Sequence, residues 1–340
     1  MYVVNKYRRF VRFLGVDRII KMLKSAYLTI QLGMPIAMNR AKTARVDEFY
    51  TLLPDVEFEL QHYTHFFEEK VVYCCCDNPL QSSFCRYFSK NYIKLKLAGF
   101  ICSWVPEVKS IAQWARYDSL SKGYVYHSIP DSNGSFNSPE CIELINMSDI
   151  IVTNPPFSKA LDFIELLLAK DKKFVIVCNR NTITTKKIFP LFLDRKLRIG
   201  YGFKGNTAYF SIPPSLYGHY SKDVVRNEEN IVRFRNVTWL TNLEIEVPCN
   251  KILLQRQYSQ QKYERYDQYD AINIDKLSDI PYDYDGVMGV PITILDKFDY
   301  NTFELLGLDR LMPLNKSGHR FTINGREKYA RVLIQKRKHE

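Results

Sequence analysis

The chain has 340 residues, enough for one large catalytic domain with a smaller module beside it. A composition of 46% hydrophobic, 25% charged and 14% aromatic residues excludes disorder as the default, and no apolar run reaches transmembrane length. An excess of 48 Lys and Arg over 37 Asp and Glu gives a formal charge of +11, which suits a polyanionic partner without identifying one.

Residues 1–24 carry seven basic side chains against Asp17 alone, interleaved with Phe10, Phe13, Leu14, Ile19, Ile20 and Leu23. Such a segment reads as a peripheral helix packed on the main domain; a basic amphipathic helix lying on phosphates or a membrane surface is the alternative. Further on, Val56, Leu60, Tyr63 and Phe67 recur at helical spacing and Pro54 suits a first turn, so the spacing predicts a helix over 53–70. VVYCCC, 71–76, reads as a buried strand, with Asp77, Asn78 and Pro79 as its exit turn. Ser82 or Ser83 caps a helix that carries Phe84, Phe88 and Leu95 and ends at Gly99, and FICSWV, 100–105, is the next strand.

The rhythm continues with a strand at DIIVT (149–153), a helix over 159–170 and a strand at FVIVC (174–178). Alternating strands and helices predict an α/β fold built on a mostly parallel sheet. TAYFSI (207–212) and VTWLTNL (237–243) read as later strands whose pairing direction stays open, and the polar stretch 213–234 reads as a loop. A Tyr-, Asp- and Gln-rich segment over 258–286 marks a change of composition, and the Asn-Gly pair in RFTINGREKY predicts a hairpin near the C-terminus. The eight cysteines, at 74, 75, 76, 85, 102, 141, 178 and 249, form no CxxC pair and no His/Cys metal pattern. We therefore expect a cytoplasmic, reducing setting, with no disulfide, no metal and no membrane partner.

The most informative stretch is IVTNPPFSKA, 151–160. In open α/β sheets ligands bind beyond the carboxyl ends of the strands, and Asn154, Pro155, Pro156 and Phe157 stand at such an end. Each proline removes a backbone donor and leaves a carbonyl acceptor; Asn154 adds a side-chain acceptor and Phe157 a flat apolar ring. Two acceptors and a ring match an exocyclic amine on a planar heterocycle. An ordinary proline-rich strand exit would also use Asn and two Pro, so both readings stand on chemistry alone.

The residues around this motif narrow the choice. DEFYT (47–51), VVYCCCDNPLQSSFCRYF (71–88), GSFNSPECIELI (134–145), IVTNPPFS (151–158) and YDAINIDKLSDIPYDYDGVMGVPITILDKF (269–298) together resemble the EcoRI-type adenine-specific DNA methyltransferase family. The resemblance runs from about Asn39 to the C-terminus. It implies a Rossmann-like methyltransferase sheet with helices on both faces, S-adenosyl-L-methionine as cofactor, and methyl transfer to N6 of an adenine flipped out of double-stranded DNA. Beyond a basic extension over 1–38 that precedes it, the resemblance further implies a methyltransferase domain over 39–245 and a DNA-contacting C-terminal region over 246–340, working as a monomer. Such enzymes serve restriction–modification or phage and plasmid self-protection.

Asn154 and the Pro155 carbonyl would then accept from the adenine amine, beside Pro156, and Phe157 would stack on the base. Tyr50 and Thr51 would line the methionine end of the cofactor, Tyr50 having a core aromatic role as its alternative. Cys75, Asp77 and Pro79 occupy the region of the first cofactor motif, without the Gly-rich form common in other methyltransferases; a turn or helix-cap role is the alternative for Asp77. Ser135, between Gly134 and Phe136, stands where the resemblance leads one to expect Asp, and both Ser135 and Phe136 are expected on the cofactor side. Asn179, beyond the FVIVC strand, faces the cleft or caps a turn. Methylation of adenine in RNA or single-stranded DNA, and a non-catalytic DNA-binding role on the same fold, are the competing functions.

Overall fold

The structure is a computed structural model that describes residues 49–106, 111–129, 134–212, 231–234, 236–246, 253–312 and 319–337, and the backbone of 225–226. The expected basic segment 1–38 lies outside these residues, as does most of 213–230. Two compact units share the chain: one takes residues up to Asn179 and Gly202–Leu243, the other Arg180–Tyr201 and Glu244 onward.

The first unit opens with β1 (Tyr50–Thr51) and α1 (Leu53–Leu60). Pro54 sits in the first turn of α1, where its missing N–H costs nothing. The expected continuous helix to 70 instead breaks into a 3-10 turn, Gln61–Tyr63, and a short α2 (Thr64–Phe67). β2 (Val71–Cys74) follows, then α3 (Ser83–Asn91), capped by the Ser82 hydroxyl, which accepts from the Phe84 and Cys85 amides. The strand stops two residues short of expectation because Cys76 turns into the left-handed region at φ 65°. Likewise α3 ends at Asn91, and Gly99 opens β3 (Gly99–Trp104).

β4 (Ala112–Asp118) and β5 (Gly123–Ile129), absent from the sequence reading, return as an antiparallel meander beside β3. α4 (Pro139–Met147) is started by the Ser138 side chain and Pro139. β6 (Ile150–Thr153), α5 (Ala160–Ala169) and β7 (Lys173–Asn179) come next. The chain then enters the second unit with α6 (Arg180–Ile183), α7 (Phe189–Leu193) and β8 (Arg198–Ile199). It returns with β9 (Ala208–Ser211), β10 (Val225–Arg226), β11 (Ile231–Phe234) and β12 (Val237–Thr241).

Seven strands of this unit lie in the order β5-β4-β3-β2-β6-β7-β12. The central four are parallel, whereas β4, β5 and β12 run antiparallel to their neighbours, so the sheet is mixed where a mostly parallel one was expected. A short link explains the β4–β5 flank, where the four residues between the strands allow only a hairpin return. β2 and β6 are buried along their whole length, which is why they read as unbroken apolar runs. A second, antiparallel sheet has the order β1-β9-β11-β10. Part of the expected loop 213–234 is thus strand, since IVRF pairs with β9 and buries Val232.

The second unit holds β13 (Ile272–Asn273), β14 (Met288–Pro291), β15 (Phe303–Leu308) and β18 (Arg331–Lys336) in the order β13-β14-β18-β15. The Asn-Gly hairpin forms as expected, from β16 (Thr322–Ile323) and β17 (Arg326–Glu327). Segment 180–201 is tied into this unit: Arg180 clamps Asp296 with bonds of 2.6 and 2.8 Å, Arg195 lies over the Tyr300 ring at 4.6 Å, and Arg310 donates to the Thr184 carbonyl at 2.8 Å. Among the described residues no helix is long and apolar enough to cross a membrane.

Candidate active site

From β2 the chain moves outward through β3, β4 and β5, then comes back to place β6 on the other side of β2. Strand order reverses between β2 and β6, and the crevice beyond their carboxyl ends is where an α/β sheet receives a ligand. Both exits carry the residues singled out in the sequence.

At the β2 exit the Asp77 amide donates to the Ser103 carbonyl at 2.8 Å, which fixes the turn against β3. The Asp77 carboxylate accepts from the Ser82 hydroxyl at 2.6 Å and from the Thr153 hydroxyl at 2.8 Å. One side chain therefore joins the start of α3 to the last residue of β6. Burial pushes the Asp77 carboxyl well above the usual carboxylate range, and the two hydroxyl donors oppose that shift.

At the β6 exit Asn154 is half-buried. Its Nδ2 donates to the Phe49 carbonyl at 2.5 Å, which holds the amide plane. Its Oδ1 is buried and has no hydrogen-bond partner among the described residues. A buried, unmade acceptor of this kind costs about 1–3 kcal/mol, so its persistence at a cleft marks a place for an incoming donor. The Thr51 hydroxyl is a second buried polar atom without a partner among the described residues. Phe157 is half-buried in a nest of rings, with centroids 5.4 Å from Phe49, 6.1 Å from Phe210 and 6.0 Å from Phe234.

A pocket enclosing about 410 Å³ of space open to solvent collects these groups. Its walls are Phe49, Tyr50 and Thr51; Cys76 and Asp77; Ser82, Ser83 and Phe84; and Asn154 and Pro156. Of the residues expected at the site, Tyr50, Thr51, Asp77, Asn154 and Pro156 thus meet in one cavity. Phe157 reaches it through Phe49, and Pro155 is buried behind Asn154. Cys75 does not line it: that side chain is buried, and its neighbour Cys76, 3.7 Å away sulfur to sulfur, faces the pocket instead. Pro79, Ser135 and Phe136 do not line it either. Ser135 supports the turn before α4 through its carbonyl, which accepts from the Ser138 amide at 2.9 Å, and Phe136 packs edge-on against Phe163 at 5.0 Å. Asn179 bonds the Asn236 side chain at 3.0 Å.

Sequence reasoning missed Phe49, Phe84 and the Ser82–Ser83 pair as pocket walls. The signal for the serines was present, since a helix cap directly after a strand exit sets its serines against that exit, where the buried Ser82 hydroxyl bonds Asp77. Nothing local to Phe49 signals its role, which depends on β1 pairing with β9 some 160 residues away.

A reversal of strand order, an aromatic-lined cleft and an orphan amide oxygen at an Asn-Pro-Pro-Phe strand exit define an α/β methyltransferase. The chain belongs to the family described as Adenine-specific methyltransferase EcoRI, whose model matches residues 37–338. It is 38% identical over 319 residues to Type II methyltransferase M.EcoRI of Escherichia coli, covering 88% of this chain and 96% of that protein. Identity is 31% over 323 residues to Type II methyltransferase M.MgeORF184P of Mycoplasma genitalium and 32% over 318 residues to Type II methyltransferase M.MpnI of Mycoplasma pneumoniae, each covering 88% of this chain and 98% of the relative. No solved structure matches the chain.

Proposed function

We propose that the protein transfers a methyl group from S-adenosyl-L-methionine to N6 of an adenine flipped out of a specific double-stranded DNA site, as the modification half of a restriction–modification or self-protection system. It does so as a cytoplasmic monomer on a Rossmann-like sheet, with residues 246–340 supplying DNA contacts. The observation that carries this reading is the buried, unpartnered Asn154 Oδ1, aimed by its own Nδ2 bond to Phe49. The Type II names of the three relatives support the setting.

The pocket's donor set fits the cofactor. Asp77 offers a carboxylate to an ammonium group, the Thr51 hydroxyl awaits a polar partner, Ser83 adds a hydroxyl, and Phe84 adds a flat ring. When bound, the cofactor supplies an electrophilic methyl group on a sulfonium.

The remaining work falls to the chain itself. Asn154 Oδ1 and the Pro155 carbonyl accept the two amine hydrogens, which draws the nitrogen lone pair out of the ring and aims it. Phe157 holds the flipped base by stacking. No strong base is required, because the proton leaves during or after transfer. Catalysis then comes mainly from positioning and from polarisation of the amine.

Incubation with radiolabelled S-adenosyl-L-methionine and separate pools of duplex DNA, single-stranded DNA and RNA tests this. Label is expected chiefly in duplex DNA, in adenine. Label in no pool would overturn the reaction, and label chiefly in single strands or RNA would overturn the substrate.

A further inference from the structure

The hairpin β16–β17 is braced from outside its own strands. Asn324 and Gly325 take φ of 50° and 74°, the two left-handed positions of a type I′ turn. Asp267 closes that turn: its Oδ1 accepts the Asn324 amide at 3.1 Å, and its Oδ2 accepts the Gly325 amide at 2.9 Å and the Thr322 hydroxyl at 2.6 Å. Gln268 adds two bonds to Thr322, accepting its amide at 2.9 Å and donating to its hydroxyl at 2.6 Å. Below them Phe321 is buried, stacked on Tyr269 at 5.4 Å and tilted against Tyr266 at 5.2 Å. This is the work of the Tyr-, Asp- and Gln-rich segment that the sequence left without a function.

The held turn leaves Asn324, Gly325, Arg326 and Glu327 exposed. None of the bracing bonds uses the Asn324 carboxamide or the Arg326 guanidinium. Lys328, next on the same side, shares its charge with Glu264 at 3.7 Å and Asp275 at 4.0 Å, whereas Arg326 has no such partner among the described residues. Asn324, Arg326, Lys328 and Glu264 line one open concavity.

A two-stranded ribbon fits the major groove of B-DNA, and the two side chains offered here are the ones with matching forks: Arg for guanine O6 and N7, Asn for adenine N6 and N7. Bracing lowers the ordering cost of binding. We propose that this hairpin is a sequence-reading element that enters the major groove and addresses base edges with Arg326 and Asn324. The proposal rests on the DNA methyltransferase reading above.

The test begins by mapping which plasmid adenines the parent methylates. Parent, Arg326→Ala, Arg326→Lys and Asn324→Gly are then compared on a short duplex carrying that site, on duplexes with single base changes, and in affinity for S-adenosyl-L-methionine alone. Glycine at 324 keeps the left-handed turn, so the second site reports the side chain and not the fold. Expected are a loss of kcat/KM on the cognate duplex of about 10- to 100-fold for Arg326→Ala, relaxed discrimination at one base pair, incomplete rescue by Arg326→Lys, and unchanged cofactor affinity. Parent-like specificity in both alanine and glycine variants overturns the proposal. So does a uniform loss on all sequences with a salt dependence shallower by about one ion, the mark of a phosphate contact. Failure of the parent to label any duplex would instead overturn the enzyme reading itself, and the hairpin's role with it.

Discussion

Replacing Asn154 by Asp changes one atom group and separates the two halves of the side chain's task. In the parent, Nδ2 donates to the Phe49 carbonyl at 2.5 Å while Oδ1 stays open to the substrate. An ionised carboxylate keeps the acceptor and puts a second oxygen against that carbonyl. The lost bond and the repulsion are worth about 1–3 kcal/mol, and at about 1.4 kcal/mol per pKa unit they raise the introduced carboxyl by about one to two units, to about 5–6. Only its protonated form can donate to Phe49 and accept from the amine together. The sign follows: the competent form is present below the raised pKa and disappears as pH rises through it. Radiolabelled methyl transfer measured from pH 5.5 to 8 and normalised to the parent at each pH is expected within about fourfold of the parent at the acid end and down by roughly 100- to 1,000-fold at pH 8. A variant within threefold of the parent at pH 8, or one whose relative rate climbs with pH, would refute the claim that the Phe49 contact orients the amide.

Thr51→Val removes a buried hydroxyl that has no partner among the described residues; the melting temperature should hold or rise, while cofactor Kd by calorimetry rises about tenfold. Because burial raises the Asp77 carboxyl, acid protonates it in the free protein, so affinity for a cationic cofactor should fall as pH is lowered and Asp77→Asn should flatten that dependence. Asp55, on α1, is raised to about 6 by burial against a weaker opposing bond from the Lys204 amide. The folded state then holds more protons than the unfolded one between about pH 4 and 6, so Asp55 lowers stability as pH rises through that window, and Asp55→Asn should remove the trend in melting temperature.

The place of 154–157 at a strand exit was legible because central strands are visible as apolar runs. The antiparallel meander was harder to see. Val125 and Tyr126 of β5 are exposed, so that strand lacks a clean buried face to betray it. Cys75 was expected at the pocket by resemblance to the first cofactor motif; the positive φ at Cys76 turns the chain there, and Cys76 lines the pocket instead. Ser135 was weighed as a weakened cofactor contact, whereas Gly134 sits so close to Val105 that its corner is set by packing, with an added Cβ falling 2.0 Å from the Val105 side chain. Tyr50 and Thr51 were placed by resemblance alone, since a two-residue strand has no periodicity to read.

The chain changes unit three times, after Asn179, Tyr201 and Leu243. A chimera made between relatives by one cut near 244 would strand the borrowed C-terminal segment from Arg180, Thr184 and Arg195, whose contacts with Asp296, Arg310 and Tyr300 belong to that segment. A working graft has to carry 180–201 as a second, discontinuous piece. Recombination by simple end-joining is therefore a poor route to exchanging the second unit in this architecture, and change by substitution in place is the accessible one.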